Sequence, residues 1–192
     1  GKGTEQLTHL KTGSNLDVLG PMGNGFQISP MPAGTLSYLM IAGGIGIAPL
    51  RFLVEKVKPW CRQIIVLQGA ATASKLYPKE LLPKEISLTA ATDDGSAGHK
   101  GFVTDLIPSF ATTADVIVAC GPMPMLKYMA ENQGKLRLTG KPVSISLEMR
   151  MACGLGVCYG CTIRTKSGLK QVCKDGPVFD LNEVVWDEMA RI

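Results

Sequence analysis

From Thr35 onward, apolar runs alternate with stretches of helical character. Leu36–Ala42 is an apolar run of the kind expected for a strand covered on both faces. Gly43–Gly46 predicts a tight turn, and Pro49 is tolerated in the first turn of a helix reaching about Val57. Further strands are predicted at Ile64–Leu67, Ile86–Ala91, Val116–Ala119 and Val143–Leu147. Between them fall a short helix at Tyr77–Leu82, a helical stretch at Val103–Phe110, and a helix over Met123–Asn132 entered through Pro122 and Pro124. Strand–helix repetition of this kind predicts an α/β fold. Its core is an open, parallel, five-stranded Rossmann-like sheet with right-handed crossovers.

The two ends of the chain read differently. Residues 1–32 are rich in Gly and turn signals, with one short apolar run at Leu16–Leu19 before Gly20-Pro21-Met22-Gly23. They read as the last strand or two of a β structure, with Pro30-Met31-Pro32 as a linker. Because the chain opens on Gly1 and not Met, the expectation is a portion of a longer polypeptide. After Glu148 only 44 residues remain, and Thr162–Lys166 and Leu169–Cys173, joined through Ser167-Gly168, predict a β-hairpin. The expected division is therefore 1–32, 33–148 and 149–192.

Composition narrows the function classes. A chain that is 45% hydrophobic and 19% charged buries a core and is not a disordered polymer. A net charge of +4 with no long basic block does not point to nucleic acid. No apolar run reaches the ~18 residues of a membrane span, and no signal peptide is expected. Two of the six cysteines, Cys61 and Cys120, lie alone in apolar segments. The other four follow the spacing Cys153-x4-Cys158-x2-Cys161-x11-Cys173, with Gly154, Gly156 and Gly160 as filler. This clustering favours a metal centre in a reducing cytoplasm over a disulfide scaffold. A [2Fe–2S] cluster needs four thiolates on two irons and close-wrapping backbone N–H groups, and this spacing is of the plant-type ferredoxin kind. A tetrahedral zinc site, which usually gathers two separated knuckles, and a pair of disulfides are the alternatives.

A second site is indicated by Ala42-Gly43-Gly44-Ile45-Gly46-Ile47-Ala48-Pro49, which follows a buried strand and opens a helix. N–H groups at such a helix start suit a pyrophosphate, and glycines let it approach. Cys120-Gly121-Pro122-Met123-Pro124-Met125 ends the fourth strand on the same sheet edge, where it reads either as the floor under a nicotinamide or as ordinary core. No acidic residue ends the second strand, where a ribose partner is expected; Gln68-Gly69-Ala70-Ala71-Thr72 stands there instead. NAD and NADP both stay open, with Lys75 as the candidate for a 2′-phosphate. His9 and His99 lie far apart in sequence, so no acid–base pair and no catalytic residue is assigned.

These pieces, together with Gly1-x-Gly3-Thr4, Gly20-Pro21-x-Gly23 and Gly98-x-x-Gly101-x-Val103-Thr104-Asp105, resemble the ferredoxin–NADP reductase-like flavoproteins. The tail is more specific. Ser146-Leu147-Glu148-x-Arg150-Met151-Ala152-Cys153-Gly154-x-Gly156-x-Cys158, continuing through Val172-Cys173-Lys174-Asp175-Gly176-Pro177-Val178-Phe179, resembles electron-transfer subunits of the heteromeric, class B dihydroorotate dehydrogenases. The likeness covers essentially the whole chain.

The resemblance implies a route in which electrons from dihydroorotate reach FMN in a separate catalytic subunit. They then pass through a [2Fe–2S] cluster to FAD and leave as hydride to NAD⁺, in pyrimidine biosynthesis. It implies Cys153, Cys158, Cys161 and Cys173 as cluster ligands. Gly43, Gly44, Gly46, Cys120, Gly121, Pro122 and Met123 are implied as NAD contacts, and Gly3 and Thr4 as the end of an FAD-binding segment. It also implies a cytoplasmic heterotetramer with the FMN-containing subunit, without nucleic acid or membrane. The family's Arg-x-x-Ser-type flavin motif is not matched, and about thirty residues cannot close a six-stranded barrel, so residues 1–32 are expected to be a barrel remnant. The chain alone is then expected to hold FAD weakly or not at all; stoichiometric flavin in its absorption spectrum would contradict this. The alternatives are a reductase for another acceptor (oxygenase, sulfide or hydrogenase-linked) and a non-enzymatic zinc-binding interaction module. Arg150, Arg164, Lys166, Lys170 and Lys174 flank the cysteines, either as a docking face or as solvating charge.

Overall fold

A computed structural model describes residues 1–28 and 32–189. Its centre is β1 (Leu36–Gly43), in which all residues after the first are buried. Alternation along this strand divides the interior in two. Leu39 and Ile41 face one core, while Tyr38, Met40 and Ala42 face the other. The second core is closed by α2 (Ile47–Val57), which buries Ile47, Leu50, Leu53, Val54 and Val57 along one side.

β2 (Cys61–Ala70), β3 (Ser87–Thr92) and the two-residue β4 (His99–Lys100) extend the sheet on one side of β1. A 3-10 turn at Val103–Leu106 and the short α3 (Ile107–Phe110) then cover the first core. β5 (Val116–Cys120), α4 (Met123–Glu131) and β6 (Val143–Ser146) extend the sheet on the other side. The tail forms the hairpin β7 (Thr162–Thr165) and β8 (Gly168–Gln171), then β9 (Val178–Asp180) and α5 (Trp186–Met189). The sheet order is β4-β3-β2-β1-β5-β6-β9; all pairs are parallel except β6 with β9.

The five predicted strands are present, but the sheet has seven strands and not five. β4 consists of His and Lys, so it carries no apolar signal, and β9 comes from the tail to close the edge antiparallel to β6. Pro78 and Pro83 confine the helix expected at Tyr77–Leu82 to one 3-10 turn, Lys79–Leu81. The expected hairpin is present. Its Ile163 and the following Val172 join the first core with Trp186, so the tail and the sheet share one interior. Packing alone therefore does not separate the tail from the sheet at residue 148.

The barrel remnant expected over residues 1–32 does not form among the described residues. Lys2–Thr8 is instead a helix, α1, with no buried residue, and the Leu16–Leu19 run is exposed without a ladder partner. A lone strand leaves its N–H and C=O groups unpaired, whereas a helix pairs them locally. What the segment does contribute is an anchor. Asn24 bridges Pro177, and its side-chain amide donates to the carbonyls of Lys174 (2.9 Å) and Asp175 (3.3 Å). The expected linker lies largely outside the described residues. No described helix is long and apolar enough to cross a membrane.

Candidate functional site

The cysteine loop leaves the sheet edge at which β6 ends. Gly154 (φ +69°) and Gly156 (φ +76°) adopt left-handed backbone, which folds residues 153–161 tightly. A side chain at either position would also have to displace a neighbouring side chain. A Cβ on Gly154 would stand 2.9 Å from Met22 Cε, and one on Gly156 would stand 2.7 Å from Gln171 Oε1. Tyr159 (φ +59°) holds the same conformation without glycine's freedom, and its carbonyl accepts from the Thr162 amide (3.2 Å) and hydroxyl (2.7 Å).

Backbone amides are aimed at the sulfurs. Leu155 N–H donates to Cys153 Sγ (3.3 Å), Gly160 N–H to Cys158 Sγ (3.5 Å), and Cys173 N–H to Cys161 Sγ (3.4 Å). The Leu155 amide, then the Cys158 thiol and amide and the Val157 amide, hold the Cys153 thiol down to about 6. The Cys161 thiol beside Cys173 pushes that group up. All six cysteines are free thiols, so the disulfide alternative is not realised. Among the described residues no three His, Cys, Asp or Glu side chains converge on one ion position. The Cys158 thiol acts on Cys153 and the Cys161 thiol on Cys173, and Cys153 and Cys173 also feel one another. Four soft donors at the plant-type ferredoxin spacing, with amides directed at three of the sulfurs, fit an iron–sulfur centre.

The second feature is a cavity of about 590 Å³ along the carboxyl ends of β1, β2, β3 and β5. Gly43 and Gly44 form its near wall, Gly69, Ala70, Ala71 and Asp93 the adjacent one, and Phe102–Asp105 a third. Pro122, Pro124, Met125 and Tyr128 complete it. Gly44 (φ +53°) has nothing within 4 Å of its Cβ direction, so its backbone is open to a ligand. A Cβ on Gly43 would lie 2.7 Å from Pro122 Cδ and 2.8 Å from Met125 Sδ, so the two glycine-bearing turns are in contact.

Of the seven positions expected to meet the dinucleotide, Gly43, Gly44 and Pro122 line the cavity. Gly46 is buried against the Cys120 carbonyl, where it lets α2 pack on the end of β5. Cys120 lies beneath Gly121, and burial pushes its thiol up despite the Ser146 hydroxyl beside it. Met123 packs against the first core. Gly3 and Thr4 lie on the exposed α1, with nothing within 4 Å of the Cβ direction of Gly3. Lys75 ends a 3-10 turn and is not among the lining residues. Sequence reading missed Asp93, Phe102 and Tyr128 as lining residues. The Gly98–Asp105 motif was the available signal for Phe102.

Residues 40–131 match the family model described as the oxidoreductase NAD-binding domain. Residues 148–185 match the iron–sulfur cluster binding domain of dihydroorotate dehydrogenase B. A solved structure of an NADH-dependent reduced ferredoxin–NADP oxidoreductase, reported for flavin-based electron bifurcation, superposes with a TM-score of 0.82. It is 33% identical and covers all of this chain and 68% of that one. The electron transfer subunit of dihydroorotate dehydrogenase B (NAD(+)) from Bacillus caldolyticus is 40% identical over 188 residues, 96% of this chain and 71% of the relative. That of Geobacillus thermodenitrificans is 41% identical over the same shares of the two chains. With this identity along nearly its whole length, and with the cysteine loop and the dinucleotide cavity on one sheet, the chain belongs to the family of dihydroorotate dehydrogenase B electron transfer subunits.

Proposed function

We propose that this chain is the electron-transfer component of an NAD-linked dihydroorotate dehydrogenase. In this reading it docks in the cytoplasm on an FMN-containing catalytic subunit, as a heterotetramer. The observation that carries the reading is a four-cysteine loop with amides directed at three of its sulfurs, on the same sheet whose carboxyl edge holds the dinucleotide cavity. The family membership and the ferredoxin–NADP reductase-like neighbour fit a [2Fe–2S] cluster, FAD and NAD as the cofactors. When bound, the cluster supplies one-electron transfer, the flavin couples one- to two-electron chemistry, and the nicotinamide takes hydride.

The residues divide that work. Cys153, Cys158, Cys161 and Cys173 would hold the cluster, and the Leu155 and Gly160 amides would stabilise charge on sulfur. Gly43 and Gly44 leave room for a pyrophosphate at the start of α2, while Pro122 and Met125 close the cavity beside it. The buried Cys120 stays a neutral thiol under Gly121. Flavin contacts at Gly3 and Thr4 belong to this reading only with the segments that the longer relatives carry. The units 1–32, 33–148 and 149–192 then correspond to flavin, dinucleotide and cluster chemistry.

Metal analysis and electron paramagnetic resonance of the dithionite-reduced protein test the centre. Iron and acid-labile sulfide in equal amounts, with a reduced [2Fe–2S] spectrum, are expected; zinc without sulfide would overturn the reading. Assembly with the catalytic subunit is expected to give dihydroorotate-dependent NADH formation. The likeness to the ferredoxin–NADP oxidoreductase supports a second reading, an NADH-linked relay for another acceptor. A chain that carries the cluster but binds no dihydroorotate-oxidising subunit would favour it.

A further inference from the structure

The four clustered thiols come from two stretches, residues 153–161 and Cys173, and one distant segment touches both. That segment is Met22-Gly23-Asn24. The turn that follows Cys173 satisfies its amides from within. The Lys174 (3.0 Å) and Asp175 (2.7 Å) N–H groups donate to the Gln171 carbonyl, and the Gln171 amide donates to the Asp175 carboxylate at 2.7 Å. The carbonyls of the same turn face Asn24. Its side-chain amide donates to those of Lys174 (2.9 Å) and Asp175 (3.3 Å), and its backbone N–H donates to that of Gly176. No other described residue donates to these three carbonyls. Gly23 (φ +74°) allows this approach, because a Cβ there would strike the Gly176 carbonyl and stand 3.2 Å from the Cys173 carbonyl oxygen.

At the other stretch the contact is apolar. The Cβ direction of Gly154 ends 2.9 Å from Met22 Cε and 3.4 Å from Met22 Sδ. Gly154 separates Cys153 from Leu155, whose amide donates to Cys153 Sγ at 3.3 Å. Met22 therefore covers the turn that aims this amide at sulfur, and its flexible thioether suits an irregular backbone surface.

We propose that Met22 and Asn24 are positioning residues of the cluster centre, a clamp that sets the Cys173 turn and shields the Cys153 turn. Groups behind the ligands fix ligand orientation, and hydrogen bonding and solvent exposure at sulfur set the electronic state of such a centre. Position 24 requires an amide: its N–H groups meet two carbonyls, and a carboxylate of the same shape has no donor to offer them. In the proposed reading residues 1–32 stand on the flavin side, so the clamp joins that side of the chain to the cluster. The assignment rests on the iron–sulfur reading of the loop.

Anaerobic transfer of iron from the cluster-loaded full chain to a chelator tests it, beside the electron paramagnetic resonance spectrum of the reduced protein and its thermal melt. Both positions are exposed, so substitutions there leave the core intact. Asn24→Asp and Met22→Gln are each expected to release iron about ten-fold faster than the wild type and to shift the g-values of the reduced cluster. Met22→Leu, which keeps the apolar cover, is expected to restore the wild-type rate and spectrum. Asp115→Asn serves as the control for stability alone. Its carboxylate accepts from the Ser37 amide at 2.8 Å, at the start of β1 and far along the sheet from the cysteine loop. It is expected to lower the melting temperature and leave iron release and g-values unchanged. If the wild type carries the cluster and both Asn24→Asp and Met22→Gln keep its rate and spectrum, the clamp is overturned and the centre stands. If Asp115→Asn releases iron as fast as Asn24→Asp, the effect is one of global stability and the clamp is equally overturned. If the wild-type chain binds no iron and sulfide, the iron–sulfur reading falls, and the proposal with it.

Discussion

Cys158→Ser is expected to strip iron and acid-labile sulfide from the protein while leaving the fold intact. Cys158 is exposed, and its sulfur accepts the amide of Gly160 at 3.5 Å, so a hydroxyl there disturbs little packing. Loss of one of four ligands is expected to lower dihydroorotate-dependent NADH formation by about 100-fold or more. Cys161→Ser removes the cluster as well, but its effect on the fold differs. Cys161 and Cys173 are 3% and 5% exposed and belong to the core shared with Ile145, Ile163 and Trp186. A hydroxyl at position 161 adds a polar group to that interior, at a cost of about 1–3 kcal/mol. In a chain of this size that corresponds to a melting temperature lower by roughly 2–12 °C. Cys61→Ala, remote in sequence from the loop, retains full iron. Iron analysis beside thermal melts checks the series; a Cys158→Ser protein with normal iron would remove Cys158 from the ligand set.

The distinction between the exposed and buried cysteines was not legible in the chain, although their grouping was. Ligand spacing is local: three of the four thiols lie within nine residues, and the wrapping requires Gly154 and Gly156 between them, so the loop announces itself. The central strand was equally plain, because Leu39 and Ile41 face one core and Met40 and Ala42 the other, so four successive residues are apolar. What periodicity does not carry is which distant segments meet. The dinucleotide cavity draws on the turns after β1, β2, β3 and β5 together with the 102–105 segment, and Asp93 acquires its place only through a backbone bond to Ala70. β4 and β9 are two and three residues long, too short for any alternation to register. At the N-terminal end, Leu16–Leu19 carries a strand's composition, but strand formation depends on a partner edge. None is provided among the described residues.

Glycine substitutions in the turn after β1 separate packing from ligand binding. Gly46→Ala is expected to destabilise the fold by about 3 kcal/mol or more, with a melting temperature lower by roughly 6–12 °C. Its new methyl group would meet the Cys120 carbonyl and, at 2.9 Å, the Gly121 nitrogen. Both are main-chain atoms of the central sheet edge, which cannot swing aside as a side chain can. Relief requires α2 to lift away from β5, which opens the core around Ile47 and Leu50. Gly44→Ala, two residues earlier, is expected to act on binding instead. Its methyl group enters open space, so the fold loses only the cost of holding Ala at φ +53°, about 1 kcal/mol. That methyl nevertheless stands on the cavity wall, where a pyrophosphate would approach backbone amides, and ADP-ribose affinity is expected to fall about ten-fold. Melting curves and calorimetry on the two variants test the division. If Gly46→Ala melts within about 2 °C of the parent, the helix is not seated on the Cys120 carbonyl. If Gly44→Ala binds ADP-ribose unchanged, the open side of that glycine does not face the nucleotide.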